Sequence, residues 1–375
     1  FLGLSSTFVL GLDKALVLTN SSEDHALSKA TNTGSILIIQ IILSLLFLSS
    51  ILLFLLFQVP VFGNMLAPGT EVYDSLLISG VLIFSSQLFS STFKALLEAN
   101  LRIDLVNMSN FILTAVIYLT VLAYSYFEDS IAEIILLTGF LYLGILFINI
   151  SLVAKYIKIE VKKPSLKEVL GFLVFSKNFT ILGVLNSVVQ PANRYLFIFT
   201  VGNLSLLSIF DLVIKLSTAA ESLMSAFSEP LYSLFSKLGM KRINEINKIS
   251  KTFILILLIM YFLGLIIFIF LGELIANYFV GDTYVEIFYY SLLITLSTLL
   301  TFSILQPIVK RIMATGFIRY IVIAKIFQVP INLIALFYFS GNIGLIEFSI
   351  AYGLGFIGVS LLILLIYFTN YQKFY

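Results

Sequence analysis

The sequence predicts an all-α polytopic membrane protein built of two six-helix pseudo-repeat lobes, with eleven spans visible and the first helix missing. Three observations carry that expectation: a composition too apolar for water, turns sorted by charge, and an internal repeat at a nearly constant offset. Of the 375 residues, 60% are hydrophobic and only 11% are charged, whereas an ordinary soluble domain carries about 25% charged residues. The mean hydropathy is +1.08. A soluble protein must still clothe its outside in polar groups, so the solvent of this chain is a bilayer. The same composition excludes nucleic-acid binders, disordered chains and disulfide scaffolds. There is no cysteine and one histidine, His25. That removes thiol chemistry, an interior Ser-His-Asp triad and most zinc sites, and neither a metal nor a cofactor is expected.

A helix needs about 20 apolar residues to cross the hydrocarbon core. Apolar runs of roughly that length fall at 1–18, 34–60, 74–97, 105–127, 131–155, 169–200, 203–235, 252–280, 284–308, 319–340 and 345–370. The chain opens on Phe1 inside the first run, with no charged leader, which reads as a fragment rather than a signal peptide. The runs are continuously apolar, whereas a β-barrel would show alternating strands of about 10 residues.

The turns between runs sort by charge. One set holds Lys29, then Lys94 and Arg102, then Lys155, Lys158, Lys162, Lys163 and Lys167. It continues with Lys237, Lys241, Arg242, Lys248 and Lys251, then Lys310, Arg311 and Arg319, and ends at Lys373. The alternate turns, near 61–73, 128–131, 201–204, 281–284 and 341–346, hold no Lys or Arg. The positive-inside rule puts the basic set and the C-terminus in the cytoplasm and implies a multi-pass protein of the plasma membrane. The stretch KYIKIEVKKPSLKEV (155–169) reads as a linker whose cations meet anionic headgroups.

The repeat rests on short matches. DSLLI (74–78) recurs as YSLLI (290–294) at an offset of 216. The basic turn KALLEANLRIDLV (94–106) recurs as VKRIMATGFIRYIV (309–322) at an offset of 215. Two like-oriented halves follow: a truncated lobe 1–154 with five spans, a cytoplasmic linker 155–168, and a six-span lobe 169–375. By this argument about 50 residues precede Phe1 in the intact protein.

Polar side chains at membrane depth are costly and mark interior faces or cavities. On the run 203–235, Asp211, Lys215, Thr218, Ser222, Ser225 and Glu229 follow one helical face, with Glu221 beside them. The run 169–200 carries Asn178, Asn186, Gln190, Asn193 and Arg194, with a kink expected at Gln190-Pro191. The first run carries Ser6, Asp13, Lys14 and Asn20. Lys14, Asn186, Gln190, Arg194, Lys215 and Ser222 are therefore the expected cavity-lining, substrate-binding set. Asp13, Asp211, Glu221 and Glu229 are the expected charge-balancing or ion-coupling set. The plainer alternative is that Asp211 and Lys215, four residues apart, neutralise each other and that Arg194 snorkels to headgroups. The run 253–272 is apolar all round and should face lipid.

The stretch RYLFIFTVGNLSLLSIFDLVIKLSTAAESLMSAFSEPLYSLFSKL (194–238), with its VGNLSL turn and EPLYSLFSKL end, resembles the seventh-to-eighth helix region of polysaccharide exporters and O-antigen flippases. GLDKALVLTNSSEDHALSKA (11–30) resembles that family's second helix and following loop, and LLEANLRIDLVN (96–107) its fourth-to-fifth turn. The resemblance implies twelve or more helices, two pseudo-symmetric lobes and alternating access, in the multidrug/oligosaccharidyl-lipid/polysaccharide exporter superfamily. It also implies a polyprenyl-diphosphate-linked oligosaccharide as cargo, with a role in cell-surface polysaccharide biosynthesis. The absent first helix, which helps line that family's cavity, is a departure.

The leading expectation is thus a flippase without a covalent step, acting as a monomer. Its partners would be a lipid-linked glycan, membrane lipids and, transiently, glycan polymerisation machinery, with no nucleic acid. Arg and Lys would hold the pyrophosphate. A cation-coupled multidrug or metabolite antiporter of the same superfamily is the alternative, using the intramembrane carboxylates. A membrane polysaccharide polymerase is a third reading, disfavoured by short outer turns without Arg, Lys or His.

Overall fold

The computed structural model describes residues 2–21, 29–56, 70–127, 130–157, 162–238, 242–339 and 343–369. His25, Lys158, Lys241, Lys373 and the turn residues 61–69, 128–129 and 341–342 lie outside them. The chain forms two compact units, residues 1–187 and 188–375. The first contains α1 (Leu2–Ser21), α2 (Lys29–Leu56), α3 (Glu71–Ala99), α4 (Ile103–Phe127) and α5 (Ile131–Tyr156). A long helix, α6 (Leu166–Val201), begins there and ends in the second unit. The second continues with α7 (Leu204–Leu238), α8 (Ile243–Val280), α9 (Val285–Ile304), α10 (Gln306–Ala314), α11 (Arg319–Ile326), α12 (Gln328–Tyr338) and α13 (Leu345–Thr369).

Each apolar run is a helix or a pair of consecutive helices. In hydrocarbon every backbone group must be bonded within its own segment, so a continuous apolar run has little choice but to coil. Eight segments of the described residues are long and apolar enough to cross a membrane. Local signals fix the ends. Thr70 caps α3 by accepting the Tyr73 amide at 3.2 Å, with Glu71 and Asp74 in the first turn. Before α6, Ser165 and Glu168 form a capping box: the Glu168 carboxylate accepts the Ser165 amide at 2.7 Å, and the Ser165 hydroxyl accepts the Glu168 amide at 3.3 Å.

Two expected single spans are broken. The run 284–308 divides at Leu305 into α9 and α10, and 319–340 divides at Phe327 into α11 and α12. Proline explains both. Pro307 and Pro330 cannot donate to the carbonyls four residues back, and their rings crowd those carbonyls. The helix gives way between the two positions each time. At Gln190-Pro191, by contrast, α6 is assigned as helix without a break.

The repeat is legible within each unit taken by itself. In the first, α3 packs against α1, α2 and α5, with α4 on α5 and α1 on α2. In the second, α9 packs against α7, α8 and α13, with α12 on α13 and α7 on α8. The basic turn recurs bond for bond. Leu101 and Arg102 donate their amides to Glu98 and Leu97 at 2.9 and 2.9 Å; Gly316 and Phe317 donate theirs to Met313 and Ile312 at 3.0 and 3.2 Å. Both are Schellman endings, which satisfy carbonyls a stopping helix would orphan. Arg102 also pairs with Asp104 at 2.9 Å, and that bond raises the guanidinium pKa above its ordinary value.

The interior of the second unit is aromatic near its 201–204 turn. Phe197 stacks on Phe210 with centroids 5.0 Å apart, and Phe348 meets both edge-on at 4.9 and 5.1 Å. Such pairs contribute about 0.5–1.5 kcal/mol each beyond burial. The long helix α8 instead exposes Leu255, Ile259, Phe262, Ile266 and Phe270, as its uniformly apolar run led one to expect.

Candidate functional site

Polar groups are held inside each unit. In the first, Lys14 of α1 places its Nζ 3.1 Å from both carboxylate oxygens of Glu98 on α3. The side chains are 16% and 13% exposed, so the pair is largely withdrawn from solvent. Asp13 turns back to accept the Lys14 amide at 2.7 Å. Deeper among α3, α4 and α5, Asn149 accepts from the Ser109 hydroxyl at 2.6 Å and donates to Ser90. Gln40 of α2 donates to the Leu88 carbonyl of α3 at 2.6 Å. These bonds cross between helices, where small polar side chains act as glue in a bilayer. Asn186 is exposed on α6, and the side chain of Gln190 lies outside the described residues.

The second unit has two polar centres. The first lies where α6 meets α7. Arg194 Nε donates to Asp211 Oδ1 at 2.7 Å. This pair borders a crevice of about 10 Å³, lined also by Asn193, Phe210, Ile214 and Tyr352, a size that suits about one water. Asn193 donates to its own helix at Val189 and accepts from Asn332 of α12 at 3.2 Å. Lys215, one turn beyond Asp211, is exposed on α7 and does not line the crevice. Asp211 thus pairs across helices with Arg194 rather than along its own helix. Ser222 is also exposed.

The second centre surrounds Lys325, which the sequence reading passed over. Lys325 is 9% exposed on α11. Its Nζ lies 3.4 Å from Gln328 Oε1 and over the rings of Phe302 and Phe356, 4.8 and 5.2 Å from their centroids. Glu221 of α7 interacts with it electrostatically, without an ion pair at contact distance. Ring faces and an amide oxygen partly replace the lost hydration of a buried ammonium. The break at Phe327 sits between Lys325 and Gln328, so a discontinuous helix carries both. Gln328 Nε2, Asn332 Oδ1, Ser217 Oγ, Ser291 Oγ and Thr295 Oγ1 are buried with no hydrogen-bond partner among the described residues. A lysine within an apolar run beside a Gln-x-Pro was the available signal.

The far end of the expected α7 stripe does different work. Glu229 accepts from Lys310 Nζ of α10 at 2.9 Å. Lys310 and Arg311 were expected in a cytoplasmic turn. They are instead buried in α10, where Arg311 donates to Asn247 of α8 at 2.5 Å and to the Tyr367 hydroxyl of α13 at 2.9 Å.

No protein-family model and no curated protein matches the chain. Solved structures do, over nearly all of it. The multidrug (MATE) transporter VcmN of Vibrio cholerae is 16% identical over 100% of this chain and 87% of its own, with a TM-score of 0.74. The chain has the MATE-transporter fold. A Pyrococcus furiosus transporter of the MOP superfamily, described as having a binding pocket of reverse polarity, is 12% identical over 100% of this chain and 85% of its own, at 0.69. The eukaryotic MATE transporter AtDTX14 is 14% identical over 98% and 86%, at 0.60. All are transporters of one superfamily. They match the expected superfamily and fold and are not oligosaccharide flippases.

Proposed function

We propose that this chain belongs to an alternating-access exporter of small organic solutes, driven by a cation gradient, in the plasma membrane with its C-terminus in the cytoplasm. The observation that carries this reading is the full-length likeness to MATE transporters, at TM-scores up to 0.76. The charged interior supports it. Asp211 and Glu221 are carboxylates at membrane depth in the second unit, and Lys325 supplies a fixed positive charge beside Glu221. A coupling cation or a charged solute would interact with each of these. Such groups need a balanced field when no cargo is present, which the Arg194–Asp211 pair provides.

The test is transport. The full chain, placed in inside-out vesicles, should accumulate ethidium or tetraphenylphosphonium when a proton or sodium gradient is imposed. Lys325→Met should reduce accumulation about tenfold or more at unchanged membrane levels, as expected for a buried charge at a working site. A second reading, translocation of a lipid-linked oligosaccharide, is favoured by two cations on one helical hairpin, Arg194 and Lys215. Vesicles that move a fluorescent lipid-linked oligosaccharide and neither organic cation would replace the first reading with the second.

A further inference from the structure

An apolar groove of about 580 Å³ runs between α6 and α12, wholly within the second unit. Ala192, Tyr195, Leu196 and Phe199 line one side, Val329 and Leu333 the other. It has almost no polar wall and opens sideways. Tyr195 and Phe199 are 74% and 90% exposed, so the groove is not closed by protein side chains. The Asn193–Asn332 bond joins the same two helices next to it. Arg194 flanks the groove: Ile198, also a lining residue, stands four positions on and so on the same helical face.

The guanidinium supplies what the groove lacks. Arg194 is half exposed and spends its Nε on Asp211. Its Nη1 and Nη2 have no hydrogen-bond partner among the described residues. That open edge is the planar two-donor fork that matches two phosphate oxygens. From Ala192 to Phe199 the helix rises roughly 10 Å at 1.5 Å per residue, so an anion at Arg194 and a hydrocarbon chain along the groove can belong to one molecule. In a bilayer the molecule that joins a phosphate to an alkyl chain is the phospholipid itself.

We propose that the unit 188–375 binds a phospholipid, its phosphate on the free edge of Arg194 and one acyl chain in the groove between α6 and α12. This differs from the lipid that coats any membrane helix. The apolar surface of α8 from Leu255 to Phe270 is as greasy but has no cation along that stretch, which makes it an internal control.

The experiment uses the full chain in vesicles of phosphatidylcholine doped with a diazirine-acyl phosphatidylglycerol, or with a diacylglycerol bearing the same acyl chain and no phosphate. Cross-links are mapped by mass spectrometry. The phosphate-bearing probe should label 192–199 and 329–333 about tenfold more than the phosphate-free one, the size of a charge-assisted bond. Both probes should label α8 alike. Arg194→Gln should erase the difference, and Ala192→Trp should block groove labelling by filling it. Asp211→Asn keeps the guanidinium while weakening its ion pair, so it should retain the labelling. Even labelling of groove and α8, or equal labelling by the two probes, overturns the site. Loss of labelling in Asp211→Asn as well as Arg194→Gln would assign the effect to the broken pair and also overturn it. None of these readings depends on transport, so they stand apart from the identity of the exported solute.

Discussion

Lys14 and Glu229 occupy equivalent places in the two units, 215 residues apart, with opposite charge. Each reaches the same neighbouring element of its own unit. Lys14 of α1 meets Glu98 on α3, and Glu229 of α7 meets Lys310 on α10, the element that follows α9 where α3 runs on unbroken. The repeat keeps the ion pair and reverses its sign. What is preserved is the tie between two helices, not the identity of either side chain.

That tie makes an asymmetric prediction. The Lys310 side chain is 8% exposed and that of Glu229 is 41%. Removing the carboxylate strands a buried ammonium, while removing the lysine leaves a carboxylate that water can reach. A fully buried pair costs about 3–5 kcal/mol to break, and partial exposure brings Glu229→Gln down to about 1–3 kcal/mol. Lys310→Met should cost less. Thermal unfolding in detergent checks the order, and a larger loss for Lys310→Met would contradict it.

The Schellman turns give a prediction of opposite direction. Leu101 holds φ at 59° where Gly316 holds it at 79°. A side chain in that region costs roughly 1–2 kcal/mol, and glycine recovers part of it. Leu101→Gly should therefore raise the melting temperature and Gly316→Ala should lower it. Leu101→Ala separates backbone relief from the loss of leucine packing, because alanine keeps the strain and so should bring no gain.

The α12–α13 contact depends on a glycine. A Cβ on Gly355 would lie 1.7 Å from Asn332 Oδ1, so the asparagine must move and its bond to Asn193 must break. Gly355→Ala should destabilise by about 1–3 kcal/mol, the usual cost of overpacking. Gly144→Ala, with nothing within 4 Å of the added carbon, should leave the melting temperature unchanged or slightly higher. Equal effects from the two would remove the argument.

Topology can be read by thiol labelling, since the chain has no cysteine. Lys162 and Asp282 are both exposed. In intact cells, Lys162→Cys should resist an impermeant maleimide and Asp282→Cys should react. The opposite pattern reverses the proposed orientation. Gly281 is unsuitable because its φ of 67° disfavours a side chain.

Much of this was legible in the chain, and the exceptions are specific. The helices were legible because a bilayer leaves the backbone no other way to bond itself. The repeat was legible because DSLLI and the basic turn kept their spacing, and that turn keeps its hydrogen bonds. The breaks at Leu305 and Phe327 were within reach, since Pro307 and Pro330 stood in view. Lys325 was equally visible but had been absorbed into an apolar run. Lys310 and Arg311 were misplaced for a better reason: a basic cluster after a span reads as a turn, and only the neighbours Glu229, Asn247 and Tyr367 show that α10 buries it.

By itself the sequence determined the solvent, the helices, the repeat and the kinds of charge carried into the membrane. Those follow from composition and from periods only a few residues long. Tertiary structure decided which charges meet. Asp211 had Lys215 four residues away, yet its partner is Arg194 on the preceding helix; Asn332 bonds Asn193 from 139 residues away. A side chain's partner is set by which helix faces pack together, and hydrogen bonds of about 3 Å are decided by that packing rather than by spacing along the chain.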